Sequence, residues 1–337
     1  MRMANICGKR ITSSRSIGAR MGNLPLVPGA MSRGSGSTRA WPPFSIAAAR
    51  FLSIVAVACV LASMSTSPAV AQDKQEKKSH GDLARQATNP AAALIQLQLQ
   101  DLIIPSSKNA DGVANTGIIQ PVYPFVMGPD YFFQSIITRT TLPIVTTPDV
   151  PGLGVTTGLG DMAILVVPAR RTPTADAGGF FQWGPIVAAT IPTATADETG
   201  SGKLSLGPGL LAFRNVKKIF NDGDSLLFGG FGYQQWSVAG EGSRQEVSKL
   251  FFAPVVVYHF DTLFGEKAWY AGLPDDLWTY DFKRSQFTQI PLGARLGKVF
   301  SIGKQPVNGF LQSWYNPAKG AGSEFTVKIN FTLLFPT

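Results

Sequence analysis

The stretch that decides the fold is Phe325-Thr326-Val327-Lys328-Ile329-Asn330-Phe331-Thr332-Leu333, close to the end of the chain. Apolar and polar residues alternate through it without a break. Successive side chains of a β-strand point to opposite faces, so this strand has one apolar face and one polar face. One face suits lipid and the other suits water, as in a strand of a membrane-spanning β-barrel.

The same period of two recurs upstream. In Ile95-Gln96-Leu97-Gln98-Leu99-Gln100 the three glutamines share one face, whereas a helix would scatter them around its circumference. Clusters of turn-forming residues separate the apolar runs. Since some runs are expected to merge, the sequence predicts an all-β fold, a transmembrane antiparallel β-barrel of about 12 strands. Candidate strands lie at 92–104, 115–126, 131–142, 157–167, 179–191, 204–214, 225–238, 248–260, 267–273, 278–290, 291–300, 307–315 and 323–335.

Residues 1–71 have the features of an extended leader that ends in a signal peptide. A short apolar core at 51–62 follows Arg50 and precedes the small-residue cleavage signal Ala69-Val70-Ala71, which places the mature N-terminus at Gln72. A retained helical anchor is the alternative, although a spanning helix needs roughly 20 apolar residues. Because the region before the core is long, Met21 and Met31 are alternative starts. Export, together with the period of two, predicts the cell outer membrane of a Gram-negative bacterium as the location.

Removing the leader changes the charge of the chain. Residues 1–71 carry eight of the 30 Lys and Arg and none of the 21 Asp and Glu, which leaves 22 minus 21, or +1. No basic arm with interleaved aromatics remains, so the sequence indicates no nucleic-acid partner. Both cysteines, Cys7 and Cys59, also lie in the leader, so we expect no disulfide and no thiolate metal site in the mature chain. The sequence shows no other cluster of metal ligands either, and we expect no cofactor.

Two regions follow the leader. Residues 72–90 are polar and charged and predict a periplasmic tail or a plug of the lumen, while residues 91–337 predict the outer-membrane barrel.

Aromatic residues gather near the ends of the runs, as in the interfacial girdles of barrels, although the core of a soluble β-sandwich is the alternative. Prolines inside the apolar runs argue against a regular barrel, because proline has no N–H to donate to the hydrogen bonds between neighbouring strands. These prolines are Pro121, Pro124, Pro185, Pro208, Pro254 and Pro291.

Catalytic patterns are weak, and we expect the protein not to be an enzyme. Of the two histidines, His80 lies in the polar tail and His259 is the only candidate base for an interfacial lipid hydrolase, without a Gly-x-Ser-x-Gly elbow. The phosphate-loop-like run Gly200-Ser201-Gly202-Lys203 lacks an earlier glycine and the magnesium-binding hydroxyl, so it predicts a turn and the start of a strand. The carboxylate pairs Asp275-Asp276 and Asp197-Glu198 lie in turn-like sequence and predict solvated loops.

Alternation also predicts which side chains face the lumen. In the run 291–300, a lipid-facing Leu292 and Leu296 place Arg295 inward. A register error of one residue would reverse any of these assignments. The candidate lumen-lining residues are Gln96, Gln98, Gln100, Arg295, Lys328 and Asn330.

A set of short motifs, in a characteristic order, gives the chain a family resemblance over about residues 83–336. The sequence resembles a bacterial family of outer-membrane transporters grouped with the phenol-degradation meta-pathway barrel proteins. The resemblance implies an outer-membrane β-barrel and a role in passing aromatic or other hydrophobic small molecules. It implies no catalytic residues. The motifs include Asn89-Pro90, Gln120-Pro121-Val122, Gly158-Leu159-Gly160-Asp161, Ile191-Pro192-Thr193-Ala194-Thr195, Trp236-Ser237-Val238-Ala239-Gly240, Gly303-Lys304-Gln305-Pro306-Val307-Asn308 and Leu333-Leu334-Phe335-Pro336.

Together these features predict a monomeric barrel that passes small hydrophobic or aromatic solutes by passive diffusion. The expected partners are outer-membrane lipid, a small-molecule solute and the outer-membrane assembly machinery. A barrel of this size lies between closed eight-stranded and open 16-stranded examples, so we expect a narrow, plugged or gated lumen. The alternatives are a non-transporting structural or surface-interaction barrel and, third, the lipid hydrolase that would depend on His259.

Overall fold

The computed structural model describes residues 79–108, 110–149, 152, 154–175, 178–319 and 322–336. The predicted signal peptide, its cleavage site and residues 72–78 of the predicted tail lie outside this part of the chain. Within it, one helix precedes fifteen strands, and a single turn of 3-10 helix lies at Asp197–Thr199.

The helix α1 (His80–Ala87) leads into the strands through the short segment 88–94. The strands are β1 (Ile95–Lys108), β2 (Ala114–Val126), β3 (Ser135–Thr146), β4 (Thr157–Leu159), β5 (Met162–Pro173), β6 (Phe180–Ile191), β7 (Lys203–Lys217), β8 (Ser225–Gly240), β9 (Ser248–His259), β10 (Trp269–Gly272), β11 (Trp278–Asp281), β12 (Gln286–Gln289), β13 (Leu292–Ile302), β14 (Gln305–Tyr315) and β15 (Gly322–Phe335).

The strands form one sheet that closes on itself. β1 pairs with β2 on one side and with β15 on the other, and every pairing is antiparallel. β10 bridges β9 and β13, which completes the circle. The short β4 lies on β3, and β11 and β12 form a hairpin beside β9. The chain is therefore a closed barrel of 12 antiparallel strands, which confirms the predicted fold class.

The ninth strand of the barrel is interrupted in its middle. β10 and β11 both pair with β9, but five residues, Leu273–Leu277, separate them and leave the ladder. Its neighbour is broken at the same level, since residues 290 and 291 separate β12 from β13. Pro274 and Pro291 lie in these two breaks, where their missing N–H groups leave no ladder bond to lose.

One predicted strand is wrong because the chain reverses direction within it. The run 278–290 is a hairpin, β11 and β12, whose turn includes Ser285 with a φ of +50°. Apolar alternation stops at Phe282, and the four polar residues 283–286 that follow mark the turn, which the sequence analysis missed.

The outer face of the barrel is apolar and exposed. Val187 is 58% exposed, Leu311 56% and Phe331 50%, although each lies in the middle of its strand. A soluble protein rarely exposes apolar surface that continues around a whole sheet. The outer face is therefore that of a membrane barrel and not of a soluble sandwich. Among the described residues, no helix is long and apolar enough to cross a membrane.

Exposed aromatic side chains lie toward both ends of the wall, as the sequence predicts. One group, near the end where β1 begins, contains Tyr123, Phe125, Phe181 and Phe228. The other, near the opposite end, contains Trp236, Phe252, Phe287, Tyr315 and Phe325. This arrangement is typical of the two interfacial girdles that flank the apolar band of a membrane barrel.

The interior is apolar at the end where β1 begins. There α1 and the following segment pack their apolar side chains into the barrel, and Leu83, Ala84 and Leu94 are at most 2% exposed. Ser79 caps the helix by accepting a hydrogen bond from the backbone N–H of Asp82. We call residues 79–94 the plug. Within the segment 72–90, predicted as a tail or a plug, residues 80–90 are folded and partly buried.

Candidate functional site in the barrel lumen

A cavity of about 350 Å³ lies in the lumen between the plug and the middle of the barrel. Inward-facing positions of most strands contribute to its wall. Five of the six predicted lumen residues line it: Gln96, Gln98, Gln100, Arg295 and Lys328. The sixth, Asn330, faces inward on β15 but is fully buried beside the cavity, where its amide donates to Thr332 Oγ1 at 2.8 Å.

One wall of the cavity is a chain of amides that we call the glutamine ladder. Gln100 donates to Gln98 at 2.9 Å, and Gln98 donates to Gln96 at 3.1 Å. The period of two in β1 places these side chains one above another on one face. On the neighbouring strands Gln120 donates to Thr141 Oγ1 at 2.6 Å. This wall offers hydrogen bonds to a polar solute without placing a charge in its path.

A second wall carries a charged cluster. Lys328 Nζ lies 2.7 Å from Asp275 Oδ1 and 3.0 Å from Asp276 Oδ2, and Arg295 Nη1 lies 3.5 Å from Asp275 Oδ2. The side chains of Lys328 and Arg295 are 5% and 7% exposed. Charges this deep in a protein are tolerated when they are paired, because partners replace the lost water.

The prediction that Asp275-Asp276 belongs to a solvated loop is wrong. The break in the ninth strand turns residues 273–277 inward, and this brings both carboxylates to Lys328. Gln312 adds a hydrogen bond from Nε2 to Asp276 Oδ2. The sequence shows a proline and two acids in a turn-like run, but not the side of the barrel on which that run lies.

Arg295 is held between two aromatic rings. Its guanidinium carbon lies 5.8 Å from the Tyr270 ring centre and 5.6 Å from that of Phe310, within the range of cation–π attraction. Tyr270 lies against Gly297, where a Cβ atom would be only 2.4 Å from the tyrosine ring. Its hydroxyl donates to Asn308 Oδ1 at 2.7 Å, which fixes the ring.

The remaining wall is aromatic and includes one cation that the sequence analysis missed. Tyr233 and Phe251 stack with ring centres 5.0 Å apart and planes 28° apart. Arg139 on β3 lines the same cavity. Alternation within Ser135-Ile136-Ile137-Thr138-Arg139-Thr140-Thr141 was the available signal, since it places Arg139 on the face of the buried Ile137.

The plug closes the cavity at the end where β1 begins. Asn89 donates to Gln182 Oε1 at 2.9 Å, and Gln182 returns a bond to the carbonyl of Ala91 at 2.8 Å. Arg85 donates to the carbonyl of Gly223 at 3.3 Å. The plug is therefore attached to the wall by hydrogen bonds as well as by its apolar side chains.

His259 belongs to this attachment. Its Nε2 lies 2.7 Å from Thr88 Oγ1 of the plug, and its Nδ1 lies 3.3 Å from Ser225 Oγ. The residue is 2% exposed and faces the interior. A general base for lipid hydrolysis needs to reach a lipid, so the position of His259 gives the hydrolase hypothesis no support.

The other motifs considered as chemical sites have structural roles. Asp161 accepts hydrogen bonds from the backbone N–H and the hydroxyl of Ser201 and joins two loops, and Lys203 begins β7. The described part of the chain contains no group of three or more His, Cys, Asp or Glu side chains that could hold a metal ion.

Comparisons with known proteins add little to this geometry. No protein-family model matches the chain, and no curated protein matches it. The resemblance to the phenol-degradation meta-pathway group therefore stays a prediction. Among solved structures, the chain is similar to an outer membrane channel from Pseudomonas putida F1, with a TM-score of 0.48 and 13% sequence identity, over 72% of this chain and 94% of that chain. A likeness at this level carries no argument about function.

Proposed function

We propose that the protein is an outer-membrane channel that passes small hydrophobic or aromatic solutes by passive diffusion. The observation that carries the proposal is the cavity of about 350 Å³ inside a barrel whose outer face is apolar. The size of the cavity fits a small organic molecule. Its wall combines aromatic rings with hydrogen-bonding amides, a lining that suits solutes with an apolar body and a polar group.

The plug makes this a gated channel. Because the plug and the apolar interior close one end of the cavity, a solute passes only when the plug moves. We therefore expect small and intermittent currents from the purified protein, without any requirement for a cofactor.

The test is uptake of phenol and of an aliphatic alcohol into liposomes that contain the purified mature chain. Gln98→Trp places an indole in the cavity from the middle of the glutamine ladder and should reduce uptake several-fold. Leu99→Trp, on the outer face of the same strand, is the matched control and should leave uptake unchanged.

A folded wild-type barrel without uptake of any small solute would exclude the channel function. That result would favour the alternative of a structural or surface-interaction barrel. Equal uptake by Gln98→Trp and wild type would place the path outside this cavity.

A further inference from the structure

The charges that line the cavity do not balance. Three cations, Arg139, Arg295 and Lys328, face two carboxylates, Asp275 and Asp276. With all five ionised, the cavity wall carries a net charge of +1. One positive charge inside the lumen therefore lacks a counterpart on the wall.

The contacts within the charged cluster identify the cation that is left over. Lys328 contacts both carboxylates within 3.0 Å, and Arg295 lies 3.5 Å from Asp275. Within the described part of the chain, Arg139 makes no side-chain hydrogen bond and no ion pair within 4.0 Å. Its interaction with Asp275 is electrostatic and acts over a longer distance.

The two residues paired with Arg139 across the sheet supply no side-chain acceptor. Across the sheet it is paired in register with Val122 on β2 and with Leu165 on β5, and both of these side chains also line the cavity. A guanidinium between two aliphatic side chains keeps its five N–H donors for whatever occupies the cavity. Unpaired charges this far inside a protein are costly, so a site of this kind is completed by an anion or by water.

An aromatic surface lies beside this cation. Tyr233 is near enough to interact electrostatically with Arg139, and its ring stacks on Phe251 at 5.0 Å. Phe231 lines the same cavity. Asp275 does not close the site to an anion, because Lys328 and Arg295 already offset its charge.

We propose that Arg139, with the Tyr233–Phe251 pair, forms a binding subsite for a small aromatic carboxylate. The carboxylate accepts two parallel hydrogen bonds from the guanidinium, and the ring of the solute packs on the aromatic wall. The cavity of about 350 Å³ limits the solute to a small molecule. This inference rests on the proposed channel function and narrows its solute from aromatic compounds in general to aromatic anions.

Benzoate is the probe, and its binding to the detergent-solubilised mature protein is measured by titration calorimetry. Arg139→Gln should weaken benzoate binding roughly tenfold to a hundredfold, the range expected for lost hydrogen bonds to a charged group. Arg139→Lys keeps the positive charge but lacks the planar guanidinium. Its affinity for benzoate should lie between those of wild type and Arg139→Gln. Arg284→Gln, at a loop arginine outside the cavity wall, is the control and should bind as wild type does.

Folding of the variants provides a second readout. Since Arg139 has no partner on the wall, Arg139→Gln should be at least as resistant to heat as wild type in a gel-shift assay. A large loss of heat resistance would indicate a structural role and overturn the proposal. Equal benzoate affinity in wild type and Arg139→Gln would overturn it as well.

Liposome uptake separates this inference from the channel function. If phenol enters the liposomes but benzoate does not bind, the subsite is wrong and the channel stands. If benzoate binds through Arg139 but no solute crosses, the subsite stands and the channel is wrong.

Discussion

Lys328 is the residue that holds the charged cluster together. It contacts both Asp275 and Asp276, so its removal leaves two partly buried carboxylates with Arg295 as their nearest cation. Breaking a buried ion pair from one side costs about 3–5 kcal/mol. We expect Lys328→Met to lower the free energy of unfolding by an amount in that range, measured by urea titration in liposomes.

The double variant Lys328→Met with Asp276→Asn should recover part of the lost free energy of unfolding, because it removes one of the two carboxylates left without the lysine. Lys304→Met, in the exposed turn between β13 and β14, is the control. An unchanged unfolding midpoint in Lys328→Met would show that the cluster contributes nothing to stability.

Asp224 gives a pH-dependent contribution at the plug end of the barrel. Burial acts to raise the pKa of this carboxyl, but hydrogen bonds from the Tyr258 hydroxyl, the Asp261 N–H and Asn221 outweigh it and hold the pKa below the usual 3.8. A lowered folded-state pKa means that the stabilisation is complete above about pH 4 and is lost as the pH falls through that lowered pKa. Asp224→Asn should therefore be less stable than wild type at neutral pH, by about 1–3 kcal/mol.

The measurement is the unfolding midpoint of both proteins at pH 7 and at pH 2.5. The difference should shrink at the lower pH, where the wild-type carboxyl takes up a proton. A difference that stays constant between the two pH values would contradict the assignment.

At the scale of elements, the plug is a distinct segment that packs inside the barrel. Leu83 is 2% exposed and packs in the apolar interior, so a charge at this position opposes docking. We expect Leu83→Asp to release the plug and to raise the single-channel conductance and the fraction of time spent open. Gln86→Asp introduces the same charge on a less buried face of α1 and should behave as wild type.

An unaltered conductance in a folded Leu83→Asp barrel would mean that the plug does not limit flow. A loss of barrel assembly in that variant would mean that the plug is needed for folding, and substitution at Asn89, which bonds Gln182, then provides the milder test.

Most strands were predictable because alternation is a local property. β1 and β15 show this best, since their glutamines and their Lys328 follow the period of two into the lumen. The sequence predicts the gap around Pro274 as a turn, but it does not show that this gap interrupts a single barrel strand. The hairpin turn near Ser285 was missed although four polar residues, 283–286, mark it. The inward position of Asp275 depends on pairing with strands that are distant in sequence, and Arg139 was missed although its own strand carried the signal.

At the scale of the whole molecule, the apolar outer face should fix the protein in a bilayer. Leu311 lies midway along β14 and is 56% exposed. An arginine on the lipid face near the bilayer midplane costs about 2–4 kcal/mol, and much less near an interface. We expect Leu311→Arg to reduce the stability of the barrel in liposomes by this amount.

Ile302→Arg is the matched control, since Ile302 ends β13 at the rim and is 63% exposed. Its effect should stay below about 1 kcal/mol. Equal effects of the two substitutions, or a wild-type protein that a salt wash removes from membranes, would contradict a membrane barrel.

The attachment of the plug also sets an order of events during biogenesis. The plug precedes every strand in the sequence, yet it bonds to Gln182, Gly223 and His259, which follow it by 93, 138 and 171 positions. None of these partners has its final position until the later strands have joined the sheet, and contacts between distant positions form late because the connecting chain must first become ordered. We therefore expect the plug to dock only after the strands that hold these three partners have paired, so that the barrel stays open at this end until the segment preceding all its strands packs inside it.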